Sequence, residues 1–494
     1  MRSLTERARQ TEWGRRACAV LALSLMVGAL SACDNLLDVD LPAELTDQAL
    51  QDPTGAETQM VTAVTHFEDA FDFSIDEIAG REDVGEIFMC GPSCSHYQYQ
   101  VTHGEFSGFS KARRFASGLH TKLVDEWTVN QVPKRGQFLA ISSIYEGAAL
   151  QWMGDALCEF SVDGGSAMTP DQGRGMAETL YTTALAEIQA AGDFAMPSRI
   201  ATSATTMAYG LRAQTRWARG DMAGAVADAQ QVPNGFVAVV TREMNRRNYL
   251  GSNRNIGGFL DMYDPIDWWP GGNNPVTGAA WPATIPFTGY TFLGINPDGR
   301  AVSDDGIPVR TAGTTDLQEG NDIGVSATAV ADTRVPHRAV EIQGKGGKGY
   351  VPTKYAAEDD DIPLVNWKEM VLIRAEGAGG QAAIDLVNEI RAADGLPLVT
   401  YADPSNATQI TYMIIEERRR ALMLEGRYFQ TKLKNPGLLW FPRGIGGTRG
   451  FDHAFRGGVR FLMPEGEFIN NTNLTTADRA TGCAANEKPV NIDG

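Results

Sequence analysis

Residues 203–230 read SATTMAYGLRAQTRWARGDMAGAVADAQ, and this stretch decides the fold class. Two runs of helix-forming residues, Ser203–Arg219 and Met222–Gln230, flank the dipeptide Gly220-Asp221. A glycine, lacking Cβ, ends a helix in the left-handed region, and the carboxylate that follows accepts from the free amides of the next helix. The small residues Ala213, Ala218, Ala225 and Ala229 let the two helices approach closely. The unit is therefore a helix hairpin. Upstream, Gly136–Glu159 sets Phe138, Ile141, Ile144, Tyr145 and Ala148 at helical spacing, and Gly173–Ala191 reads as the next helix.

The helix–Gly-Asp–helix unit resembles a tetratricopeptide hairpin, although no strict period runs along the chain. Downstream, from 232 to 360, helical spacing disappears. Gly, Pro, Asn, Asp and Trp dominate, as in Asp264–Gly272 (DPIDWWPGG) and Gly344–Gly349 (GKGGKG). These are loop compositions with occasional short strands; loops this long in a compact domain are usually functional or disordered, and the aromatic content argues against disorder. Helical spacing returns at Leu364–Gly377, Ala382–Ala393 and Thr408–Lys432. In the last, Ile415, Arg418, Leu422, Glu425 and Phe429 fall on one stripe, with Glu416 four residues before Arg420. Charges on an apolar stripe need partners, so Arg418, Glu425 and Arg427 are read as a structural ion-pair hub.

The N-terminus carries Arg2, Arg7, Arg9, Arg15 and Arg16, then the uncharged run Ala17–Leu30, then Leu30-Ser31-Ala32-Cys33. A basic start, a short apolar core and small residues before a cut define an exported leader, and the run is shorter than the roughly 20 apolar residues of a membrane span. Leu-Ser-Ala-Cys resembles a bacterial lipobox, which implies a signal peptide over 1–32 and lipid on Cys33. An extended tether follows over 33–45, where Pro42 blocks a helix, and Thr46 is a candidate N-cap for the run from Asp47. The formal charge of −18 becomes three units more negative once five arginines and two glutamates leave with residues 1–32. Such a surface repels phosphate backbones, so nucleic acid is excluded as a partner.

Cys90, Cys94, Cys158 and Cys483 remain beyond the leader. Export to an oxidising compartment makes disulfides the expected state, with three pairings open. Zinc is disfavoured, because His96 and His103 beside Cys90 and Cys94 match no ligand spacing. Trp268, Trp269 and Trp281 sit in loops flanked by Gly and Pro. Such plates stack on the C–H face of a sugar while groups such as Tyr290, Asp267 and Asn273 take the hydroxyls. Tyr97 and Tyr99, beside His96, are weaker candidates of the same kind. For each aromatic the competing reading is packing of the loops onto the helical body. Glu358–Asp361 is an acidic run of the type that holds calcium, but without EF-hand spacing it is read as a solvated charge run, and no cofactor is expected. Gly344–Gly349 lacks the Gly-Lys-Ser/Thr ending of a phosphate loop.

Four stretches, in order, resemble one family. Ile415-Glu416-Glu417-Arg418-Arg419-Arg420-Ala421-Leu422 with Glu425-Gly426-Arg427 is similar to the C-terminal helix motif of SusD/RagB-like nutrient-binding outer-membrane lipoproteins. Asp361–Glu376 and Ala383–Arg391 are similar to helices of that family's late repeat, and Phe461–Asn471 to its C-terminal segment. Thr472 stands where that segment normally has proline after asparagine. The resemblance implies a mostly helical SusD-like domain over 46–494, with tetratricopeptide-like hairpins at 46–231 and 361–432, a loop-rich ligand region at 232–360 and a C-terminal segment at 433–494. It also implies a non-enzymatic, lipid-anchored protein of the outer membrane, exposed at the cell surface. Such a protein captures a glycan or peptide and passes it to a SusC-like TonB-dependent barrel transporter. Two other functions fit the composition: a carboxylate-dependent glycoside hydrolase, and a tetratricopeptide scaffold that binds only proteins. No Gly-x-Ser-x-Gly, His-Glu-x-x-His or P-loop pattern is present.

Overall fold

In a computed structural model of the chain, the described residues are 50–81, 85–87, 103–251, 260–262, 291–295, 301–303, 333–334, 336–342, 347–396, 398–399, 403–435, 460–475 and 477–478. The chain divides into two units, Met1–Gly55 and Ala56–Gly494. Of the first, a 3-10 turn at Pro53–Gly55 is described, in which Thr54 N–H donates to Asp52 Oδ1 at 2.9 Å. The lipobox, the tether and Thr46 lie outside the described residues.

The second unit opens with helices in succession: α1 Ala56–Arg81, α2 His103–Asp125, α3 Arg135–Ala156, α4 Pro170–Ala191, α5 Ala204–Arg219 and α6 Met222–Ala229. A three-residue strand, β1 Gly85–Ile87, lies between α1 and α2. Each helix packs on the next. Local chemistry sets their limits. Thr169 and Gln172 form a reciprocal capping box at α4, with Pro170 at its first position. Ser203 Oγ accepts from Thr206 N–H at 3.1 Å to start α5. Gly220 ends that helix at φ +87°, and Asp221 Oδ1 accepts from Gly224 N–H at 3.0 Å to start α6. The hairpin read from residues 203–230 is thus present, with its caps where the sequence puts them.

Aromatic side chains fill the space between the first three helices. Phe109 stacks on Trp152 with centroids 3.9 Å apart, and Phe67 meets Phe109 and Tyr145 edge-on. This cluster belongs to one hydrophobic core that continues through Trp217 to Met370, Leu372 and Met413. Burying each such side chain contributes on the order of 2 kcal/mol.

The strands that follow are short. β2 Val237–Val240 runs antiparallel to β8 Ile362–Asn366, with a bulge between Ala238 and Val239. β3 Leu260–Met262, β6 His337–Ile342 and β7 Gly347–Pro352 join β1 in a four-stranded sheet of order β1-β3-β7-β6. β4 Thr291–Ile295 and β5 Ala301–Ser303 pair antiparallel with each other. The rest of the 232–360 segment lies mostly outside the described residues.

Helices resume as α7 Trp367–Ala378, α8 Gly380–Ala393, α9 Ala407–Ala421, α10 Tyr428–Lys434 and α11 Glu465–Asn470. The bounds of α3, α4 and α8 differ from the sequence expectation by up to three residues, and two further differences have a structural reason. The helix expected over Leu364–Gly377 starts only at Trp367. Pro363 and the β-branched Val365 favour extension, β2 supplies the hydrogen-bond partners, and Asn366 caps the helix by accepting from Lys368 N–H at 3.0 Å. The single helix expected over Thr408–Lys432 is two, α9 and α10. Leu424 at φ +57° and Gly426 at φ +69° turn the chain between them. Glu425 therefore sits in a turn and does not continue the Ile415–Arg418–Leu422 stripe. None of the described helices is long and apolar enough to cross a membrane.

Candidate functional site

The sequence candidates Trp268, Trp269, Trp281, Tyr290, Tyr97, Tyr99, Asp267 and Asn273 lie outside the described residues, as do Cys90, Cys94 and Cys483. Cys158 is buried and disulfide-bonded, with its partner outside the described residues. The acidic run is engaged by the fold: Glu358 pairs with Arg247 at 2.9 Å, and Asp361 pairs with Arg199 at 3.2 Å and accepts from Arg242 N–H at 2.8 Å. Among the described residues no group of three or more His, Cys, Asp or Glu is disposed to hold a metal ion.

The described residues form a cavity of about 470 Å³ between the middle of α1 and the segment 241–251 that follows β2. One wall is aromatic. Phe73, on α1 and 38 % exposed, meets Tyr249 edge to face with centroids 4.8 Å apart. The other wall is charged. Arg242 is 2 % exposed, and its Nη1 lies 3.4 Å from Asp69 Oδ1 and 3.3 Å from Asp72 Oδ2. Its Nε and Nη2 are buried and make no hydrogen bond among the described residues. Arg246 Nε donates to Asp69 at 2.9 Å and its Nη2 to Glu68 at 2.9 Å.

Burial pushes the Glu68 carboxyl up, against the Thr241 amide and Arg246, which pull it down. Burial alone would lower Arg246, but its bond to Glu68 and the charges of Asp69 and Glu68 carry it above the usual value. These pairs hold the guanidiniums in place in the charged wall. An exposed ring beside fixed donors and acceptors can receive a polyol, with C–H groups on the ring and hydroxyls on the charged atoms. The sequence reading singled out none of these residues. Phe73 lies on a helix rather than in a Gly-Pro loop. The available signal was the density of Arg, Asn and Tyr in Thr241–Leu250 (TREMNRRNYL).

The hub residues are brought together with partners far away in sequence. Arg427 Nε donates to Glu369 at 3.0 Å and its Nη1 to Asp155 at 3.2 Å. Arg418 Nη2 donates to Glu376 at 3.3 Å, and its guanidinium lies 4.1 Å from the Trp217 ring centroid. Lys434 approaches the same ring at 4.1 Å, so two cations flank one indole whose Nε1 donates to Glu376 at 2.7 Å. Glu425 accepts from Lys354 at 2.6 Å and from Asn366 at 3.1 Å, apart from Arg418. Glu417 forms a second node, bound by Arg334 and by Arg391 at 2.9 Å.

No protein-family model matches the sequence, and no curated protein matches it. Solved structures do. A SusD superfamily protein from Bacteroides vulgatus ATCC 8482 is 13 % identical, aligns over 86 % of this chain and 98 % of its own, and gives a TM-score of 0.51. A SusD superfamily protein from Parabacteroides distasonis ATCC 8503 is 12 % identical, aligns over 85 % of this chain and 98 % of its own, and gives 0.52. Identities this low establish shared architecture and leave the ligand open. The fold implied by the C-terminal motifs is the one the chain has: it is mostly helical and SusD-like.

Proposed function

We propose that this chain is a SusD/RagB-like nutrient-binding lipoprotein that captures a glycan and performs no chemistry on it. Lipid on Cys33 tethers it to the outer membrane at the cell surface, and the bound glycan passes to a SusC-like TonB-dependent barrel. The observation that carries the reading is the cavity at Phe73 and Tyr249, an aromatic wall facing arginine and aspartate side chains on a SusD-like fold. Loop aromatics such as Trp268 and Trp269 remain further candidate stacking residues in this proposal.

Affinity electrophoresis against a panel of soluble polysaccharides tests the binding step. At least one glycan retards the wild-type protein, and Phe73→Ala removes that retardation. Because Phe73 is partly exposed, the same change moves the melting temperature by only about 2 °C, the scale of a surface substitution. Trp268→Ala or Trp269→Ala weakens binding in the same way. Release of reducing ends would point to the hydrolase, and retention of binding in Phe73→Ala would remove this cavity from the site. Purification through the anchored chain in mild detergent recovers a barrel transporter; recovery of soluble proteins alone would favour the scaffold reading.

A further inference from the structure

Seven charged side chains form one continuous line from α3 and α4 to α10. Arg174 meets Asp155 at 2.7 Å, Asp155 meets Arg427 at 3.2 Å, and Arg427 meets Glu369 at 3.0 Å. Glu369 lies 3.9 Å from Arg418, Arg418 3.3 Å from Glu376, and Glu376 3.7 Å from Lys434. The signs alternate and both ends are cations, so four positive charges share three carboxylates. Arg418, placed between Glu369 and Glu376, is 1 % exposed. Burial lowers its pKa against the pull of Glu376 and Glu369, and burial likewise lowers that of Lys434, with Arg418 repelling it. A buried cation short of a counter-charge is costly unless an anion reaches it.

A cavity of about 410 Å³ opens beside this end of the line. Its polar lining includes Arg418, Thr431 and Glu376, whose carboxylate is already bound by Arg418 and by the Trp217 indole. Arg418 Nε and Nη1 and Thr431 Oγ1 are buried and make no hydrogen bond among the described residues. Its apolar wall is Ile410, Ile414 and Ile415 of α9. Gly380 and Ala407, the first residues of α8 and α9, also line it, so two helix N-termini add positive potential. A volume of this size suits a small organic ligand.

We infer that this cavity binds a small organic anion, a monocarboxylate whose head is received by Arg418 and Thr431 and whose apolar body lies on the isoleucines of α9. The site shares no residue with the cavity at Phe73, so it stands whether or not that cavity takes a glycan.

Hexanoate is the probe, titrated calorimetrically into the full chain at fixed ionic strength. Hexanoate binds at least about tenfold more tightly than acetate or hexanamide, tenfold corresponding to about 1.4 kcal/mol. Thr411→Trp, which fills the cavity wall away from the ion line, abolishes binding. Thr431→Val keeps the fold while weakening hexanoate several-fold, and it remains informative if the tryptophan variant does not fold. Absence of hexanoate binding to the wild type overturns the inference. So does hexanamide or inorganic phosphate binding as tightly as hexanoate, or undiminished affinity in both variants.

Discussion

His120 Nε2 lies 2.6 Å from Glu187 Oε1, whose other oxygen accepts from Ser143 Oγ at 2.8 Å. That hydrogen bond raises the imidazole pKa more than burial lowers it. The folded state therefore binds the proton more tightly than the unfolded chain, whose value is about 6.5. The stabilisation is complete below about pH 6.5 and is lost as pH rises through the higher folded value. His66 contributes the opposite slope, because burial and Lys111 lower its pKa. A pH series on the wild type alone would mix the two, so the test is a difference. The urea midpoint of wild type minus that of His120→Gln is largest at pH 5.5–6.5 and shrinks toward pH 8. A pH-independent difference would show that the proton is not shared with Glu187. None of this was legible beforehand, because the partners lie 67 residues apart and neither sits in a motif. The buried Arg418 was legible, since a charge within an apolar stripe announces that a partner exists, and Arg427 was read into the same hub. The identity of the partners, Asp155, Glu369 and Glu376, was not.

At the scale of elements, what could be read was what neighbours in sequence determine. Ser203, Gly220 and Asp221 act within three or four residues, so the hairpin and its ends followed from the string of residues alone. The errors came where a distant segment decides. Leu364 and Val365 have helical neighbours, yet β2 holds them extended, and β2 lies over a hundred residues upstream. The break after Ala421 is of the same kind. Gly426 holds φ +69°, and a Cβ placed there would lie 2.6 Å from Ile75 Cδ1 on α1. The turn thus exists partly because α1 passes close by. Gly426→Ala combines a left-handed backbone with a core contact, and should destabilise the protein by about 1–3 kcal/mol. Chemical denaturation measures it. A change within about 0.5 kcal/mol, the ordinary range for a surface substitution, would mean that α1 and the turn are not packed in this way.

At the scale of the whole molecule, Glu369 joins the early helices to the late ones. It lies on α7 and is fully buried. Its Oε2 accepts from Gln214 of α5 at 2.7 Å, and both its oxygens receive Arg427 Nε, at 3.0 and 3.2 Å. Arg427 in turn reaches Asp155 of α3, 272 residues away in sequence. The hairpins before the loop-rich segment and the helices after it are thus held by one buried carboxylate and one buried guanidinium. Glu369→Ala leaves Arg427 short of a counter-charge and Gln214 short of an acceptor, which should cost about 3–5 kcal/mol. Replacing the pair with apolar residues, Glu369→Leu with Arg427→Leu, removes both buried charges but strands Asp155, whose remaining ion partner is Arg174. The double variant should therefore recover part of the loss and not all of it. The pairwise coupling from the two single variants and the double should reach at least about 1 kcal/mol, as expected for contacting members of one network. Additive effects would show that Glu369 and Arg427 act separately, and the link between the two halves of the helical body would then lie in the apolar core and in contacts such as Trp217 with Glu376.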